Sequence, residues 1–162
     1  MSVDRSAIEA LYRSHGHIVL RRARMLLGSE TDAQEALQEV FASLLKSPET
    51  VRNSRSIVAW VYRATTHFCL NHLRNLRTGA RLLETRAPAP PREVSAVNVE
   101  AMAEVRRVLA LLAADVAAAV VYHHLDGMTH AEVAGLLGCS RRQVGYLLER
   151  ARESLARAEQ TA

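Results

Sequence analysis

The sequence predicts an all-α protein built as two small helical domains joined by a proline-rich linker, with a helix-turn-helix in the C-terminal domain. Three observations lead there. Apolar residues recur at helical spacing through most of the chain, paired helix-start and helix-stop signals stand between Met128 and Leu155, and three of the four prolines fall in one run, Pro88, Pro90 and Pro91. A length of 162 residues suits one domain or two small ones, and an apolar content of 49% separates the chain from disordered sequences.

Between residues 4 and 27, Ile8, Leu11, Tyr12, His15, Ile18, Val19, Ala23, Leu26 and Leu27 share one helical face, and Gly28 follows as a stop. Thr31 with Gln34 reads as a capping box opening a second helix from Asp32 to about Lys46. This helix would bury Ala33, Ala36, Leu37, Val40, Phe41, Leu44 and Leu45, leaving Asp32, Glu35, Gln38 and Glu39 on the opposite face. Acidic residues in a first turn oppose the helix dipole, which accounts for part of this face, but Glu39 lies too far along for that explanation. A small acidic face in a basic half-protein suits docking onto a basic protein surface rather than onto DNA.

The polar stretch from Lys46 to Ser56 contains Pro48, Arg52, Asn53 and Arg55 and reads as a loop, with Ser56 placed to cap a third helix. That helix runs from Ile57 to about Leu76. It would bury Ile57, Val61, Ala64, Phe68 and Leu73 and present Arg63, Thr66, His67, Asn71, Arg74 and Arg77. Cations near a helix C-terminus suit the dipole, yet that leaves Arg63 and the stripe of His67, Asn71 and Arg74 unexplained. Residues 79–100, with the alanine-proline run, are expected to be an extended linker between domains 1–78 and 101–162.

Beyond it, Val105, Val108, Leu109, Leu112, Val116, Val120 and Val121 describe the face of a helical hairpin ending at Asp126 and Gly127. Thr129 and Glu132 then form a capping box, Val133, Leu136 and Leu137 give a short helix its apolar face, and Gly138 closes it. Ser140 with Gln143 repeats the capping box and opens the last helix, where Val144, Leu148, Ala151 and Leu155 lie inward. Arg141, Arg142, Gly145, Tyr146, Glu149 and Arg150 face outward. A short helix, a glycine turn and a longer helix with arginines in its first turn is the geometry that enters a DNA major groove; the same shape also occurs as a plain helical corner.

Lysine and arginine exceed aspartate and glutamate by 21 to 17, and the surplus is uneven: residues 1–80 hold 11 basic and 7 acidic residues, while residues 102–162 hold 7 of each. A nucleic acid partner would therefore have to touch the N-terminal half. Cys69 and Cys139 lie in expected helical units without metal-ligand spacing and read as small core residues of a reducing compartment. Asp4, Arg5 and Glu9 stand where a secretory segment would be apolar, so a cytoplasmic protein is expected. Six of the seven histidines fall in pairs, His15 with His17, His67 with His72 and His123 with His124. None makes an i, i+4 pair with a companion carboxylate, so neither metal nor cofactor nor enzymatic activity is expected.

Three stretches, residues 11–45, 60–74 and 122–152, resemble the extracytoplasmic-function (ECF) group of bacterial sigma factors, the initiation subunits of RNA polymerase. The resemblance rests on DAQEALQEVF, then W-x-Y-R and N-H-L-R, preceding the helix-turn-helix in the family's order. It implies that Asp32, Glu35, Gln38 and Glu39 dock on the beta-prime clamp of core RNA polymerase. It implies that Arg52, Asn53, Arg55, Arg63, Thr66, His67, Asn71 and Arg74 read and open the minus-ten promoter element. Arg141, Arg142, Gln143, Tyr146 and Arg150 would read the minus-thirty-five element, with the beta flap as a further polymerase contact. An anti-sigma factor is an additional partner the resemblance allows, holding the protein at the membrane instead of on the nucleoid. No small-molecule substrate is implied.

The sequence departs from the family at His67, often Asn; in LLAADVAAAVV, where Leu-Pro is common; and at Gly145 and Leu147, often Lys and Arg. A mid-helix Gly costs about 1 kcal/mol relative to Ala. Leu147 neighbours Val144, Leu148 and Ala151 and is expected to pack rather than touch DNA. The rival reading from another class is a stand-alone helix-turn-helix regulator that never binds polymerase; it leaves the acidic face and the third-helix stripe idle.

Overall fold

The computed structural model describes residues 5–50, 56–82 and 96–161, and every regular element among them is helical. The chain divides into two compact units, residues 1–106 and 107–162.

In the first unit α1 (Arg5–Leu27), α2 (Glu30–Lys46) and α3 (Ile57–Leu82) each pack against the other two. Ile8, Val19, Leu37, Val40, Phe41, Leu44 and Val61 form the core, with Trp60 and Leu11 packed on it. Gly28 ends α1 at φ +66, a left-handed backbone that a side chain would strain. The guanidinium of Arg106 occupies the space where a Cβ would stand, donating from Nε to the Leu26 carbonyl (3.2 Å) and from NH2 to that of Met25 (3.1 Å). A cation thus satisfies carbonyls that the end of α1 leaves open.

Several expectations need correction. The second helix is capped by Ser29, whose Oγ accepts from the Asp32 N–H at 3.3 Å, and not by a Thr31–Gln34 box. With α1 stopped at Gly28, the extended residue is Ser29, so the cap falls two positions early; Gln34 instead donates to Glu30 at 3.2 Å. Leu45 is 54% exposed and Tyr12 48%, with the Tyr12 ring edge-on to Phe41. The third helix reaches Leu82, so the linker expected at 79–100 is helical at 79–82 and again from Ala96; the proline run lies outside the described residues. Its inward stripe is Val61, Thr65, Thr66, Cys69, Leu70 and Leu73, about one position off the expected one, with Ile57, Ala64 and Phe68 only half-buried. Within the expected loop, Glu49 and Thr50 already have helical backbone.

The helix α4 (Ala96–Leu111) leads toward α5 (Ala114–Val120), which continues into a wider π turn, Val121–Leu125. In the second unit α5 and α6 (His130–Leu137) pack on α7 (Arg141–Gln160) around Val116, Tyr122, Val133, Val144, Leu147, Leu148 and Ala151. The π turn carries His123 and His124. Their ring centroids are 4.8 Å apart and neither is buried, while His123 Nδ1 lies 2.8 Å from the Met128 carbonyl. Cys139 lies in the turn between α6 and α7 and not in a helix.

Candidate functional site

The acidic face of α2 exists, with one qualification of geometry. Glu35, Gln38 and Glu39 are exposed, whereas Asp32 is half-buried and its Oδ2 lies 3.2 Å from His72 Nε2 on α3. The same face continues into an open depression lined by Glu30, Thr31, Gln34, Glu35 and Gln38. Glu30 takes two hydrogen bonds from the Arg24 guanidinium, at 2.7 and 2.8 Å, which with the Gln34 amide hold its carboxyl down at about 2. Its charge is therefore spoken for, and Glu35 and Glu39 carry the outward negative potential.

On α3, His67 and Asn71 are exposed and Arg63 and Arg74 half-buried; steps of four, four and three residues keep the four on one stripe. Thr66 does not belong with them. It is 0% exposed, and its Oγ1 accepts a 2.7 Å hydrogen bond from Nε of Arg22 while donating to the Tyr62 carbonyl. Arg22, itself only 5% exposed, also donates from NH1 to the Tyr62 hydroxyl at 2.7 Å, and its guanidinium carbon stands 3.9 Å from the centre of that ring. The rotation of α3 is thus keyed to α1 at Tyr62 and Thr66, immediately beside Arg63 and His67. Sequence periodicity marked Thr66 as outward because a hydroxyl looks polar; nothing in the sequence announces a buried arginine opposite it. Arg52, Asn53 and Arg55 lie outside the described residues.

In the second unit, local chemistry sets the geometry. Thr129 Oγ1 accepts from the Glu132 N–H (3.2 Å) and Glu132 returns a carboxylate to the Thr129 N–H (2.8 Å), starting α6. Gly138, at φ +68, ends α6, and Ser140 Oγ accepts from the Gln143 N–H at 3.0 Å to start α7, the forward half of the box expected there. Arg141, Arg142 and Gln143 are exposed in the first turn. Tyr146 is 57% exposed, with the Arg150 guanidinium 5.9 Å from its ring centre. Leu147 is 3% exposed, as its apolar neighbours implied, and a side chain at Gly145 would enter open space.

Residues 11–78 match the protein family described as Sigma-70 region 2, and residues 102–155 that described as Sigma-70, region 4. The ECF RNA polymerase sigma factor SigM of Mycobacterium tuberculosis is 31% identical over 155 residues, covering 95% of this chain and 78% of SigM. The chain belongs to the ECF group of sigma-70 factors. It is accordingly a polymerase-binding initiation factor that acts on promoter DNA. The RNA polymerase sigma factor NccH of Alcaligenes xylosoxydans xylosoxydans is 28% identical, over 94% of this sigma factor and 86% of NccH. Among solved structures, CnrH in complex with the cytosolic domain of CnrY shares the fold at a TM-score of 0.56 and 23% identity, covering 99% of this chain and 92% of that one.

Proposed function

We propose that the chain divides the work of initiation as the family's regions do, residues 1–78 with the clamp and the minus-ten element, residues 101–162 with the minus-thirty-five element, and 79–100 as connector. Glu35, Gln38 and Glu39, with Asp32 at the edge, dock on the basic surface of the polymerase clamp. The stripe of Arg63, His67, Asn71 and Arg74, acting with Arg52, Asn53 and Arg55, holds unstacked bases and the phosphates of the opened strand. That task calls for amides, stacking surfaces and guanidinium groups and for no catalytic acid. Arg141, Arg142, Gln143, Tyr146 and Arg150 read the upstream element. The observation that carries the reading is the pairing, on one three-helix unit, of an acidic face on α2 with a basic and amide stripe on α3.

The place of action is the cytoplasm. No helix among the described residues is long and apolar enough to cross a membrane. A regulatory protein partner is part of the reading, since CnrH is seen with the cytosolic domain of CnrY, and the sigma factor RpoE of Bartonella quintana, of the same fold at a TM-score of 0.54, with the anti-sigma factor NepR.

In vitro transcription with core polymerase tests the division of labour. Glu35→Lys with Glu39→Lys should weaken polymerase binding at unchanged helical content. Asn71→Ala with Arg74→Ala should leave polymerase binding intact and reduce the permanganate-reactive bubble. Undiminished binding by the first variant, or undiminished opening by the second, would remove the assigned surface. Tight duplex binding by the free protein, without polymerase, would favour the stand-alone regulator.

A further inference from the structure

Three side chains that no single helix carries meet between α2 and α3. Asp32 and Glu35 stand one turn apart on α2, His72 reaches them from α3, and one potential ligand atom from each lies within 4.8 Å of the others. No other group of three among the described residues does this. The His72 side chain is 18% exposed and that of Asp32 25%, while Glu35 is open to solvent.

The details favour an ion over a plain ion pair. His72 Nε2 is shut off from solvent and 3.2 Å from Asp32 Oδ2, yet it makes no hydrogen bond, so the two atoms are close without being aligned on each other. Two ligand atoms about 2.1 Å from a common ion, at an angle of roughly 100°, are separated by about that distance. The His72 ring is held in advance, stacked on Phe68 with centroids 5.8 Å apart and planes at 18°. Asp32 is fixed at the start of α2, where its own N–H is bound by Ser29. Glu35 alone must rotate, and its exposure leaves it free to do so. One imidazole and two carboxylates suit a borderline first-row divalent ion better than a soft monovalent ion or a hard alkaline-earth ion, with water filling the positions toward solvent.

We propose that Asp32, Glu35 and His72 form a binding site for a divalent transition metal such as Zn²⁺. A bound ion would also withdraw two carboxylates from the face assigned above to polymerase docking, so that metal loading acts as a brake on docking. This second half rests on the docking reading; the site itself does not.

Zn²⁺ competition against a chromophoric chelator, on the free full-length protein, tests the site. Wild type should bind one ion per chain. Glu35→Gln, at an exposed position that cannot unfold the helix, and His72→Ala should each weaken binding at least about tenfold, the lower end of what loss of even an outer-shell partner costs. Replacing His123, His124 and His130 together by Gln controls for the other histidine cluster and should leave the affinity unchanged. Wild-type affinity in Glu35→Gln, or loss of binding only in the triple His variant, would overturn the site and leave Asp32 and His72 as an ion pair. Polymerase affinity with and without Zn²⁺ then tests the brake: it should fall on loading in wild type and be insensitive in His72→Ala. One bound ion with unchanged polymerase affinity would overturn the brake while the site stands.

Discussion

The two units reach their shapes by different means. In the helix-turn-helix unit the boundaries of α6 and the start of α7 are written beside themselves: Thr129 with Glu132, Gly138, and Ser140 with the Gln143 N–H. Its core is built of Val, Leu, Ala and one Tyr. The three-helix unit instead places Arg22, Thr65 and Thr66 inside, and what fixes α3 against α1 is a guanidinium bound to two hydroxyls 40 and 44 residues away. A unit assembled from local signals tolerates loss of any one; a unit registered by a buried polar contact depends on that contact for the direction in which its functional face points.

The largest effect should come from reversing the character of one buried position in the locally specified unit. Leu147→Arg gives up a buried side chain and inserts a charge, and should destabilise the C-terminal unit by roughly 4 kcal/mol or more. Loss of its cooperative melting transition, with that of residues 1–106 retained, is the expected result. A stable variant that bound DNA more tightly would mean that the buried face of α7 has been misassigned.

Arg22→Met comes next. It removes two hydrogen bonds from a charged donor, each worth roughly 1.5–3 kcal/mol, while keeping much of the packed stem, so a loss on the order of 3 kcal/mol is expected in the first unit only. Hydrogen exchange should rise in α1 and α3 and stay unchanged in α6 and α7. Protection of α3 equal to wild type would show that packing alone sets its rotation.

Two glycines of the second unit should respond with opposite signs. Gly138→Ala forces a side chain into left-handed backbone and should cost roughly 1–2 kcal/mol, even though the surrounding space is open. Gly145→Ala, in helical backbone with open space around the new Cβ, should stabilise by about 1 kcal/mol. Chemical denaturation measures both; a destabilising Gly145→Ala would mean that the glycine serves the fold.

The smallest effect is one of pH. Partial desolvation, and then the neighbouring His123 and Arg152, hold His124 below the ordinary histidine pKa. The folded state therefore takes up a proton less readily than the unfolded chain. The contribution is fully present above the unfolded value of about 6.5 and is lost as pH falls through it toward the folded value. Acidification from 7 to 5 should destabilise the second unit slightly, and His124→Gln should flatten that slope. An unchanged slope would assign it to other groups.

Much of this protein was legible before any coordinates. The all-helical class, the two caps and the glycine stop of the helix-turn-helix, the inward Leu147 and the outward Glu35, Gln38 and Glu39 all follow from contacts within about four residues, where spacing along the chain is spacing in space. The tertiary structure decided what spacing cannot encode. It moved the start of α2 to Ser29, turned Thr66 inward to meet Arg22, laid Arg106 on the end of α1 and brought His72 to Asp32 and Glu35. Each of these joins groups on different helices, and a polar side chain reads as surface until the partner that satisfies it comes into reach; that partner is chosen by how the helices pack.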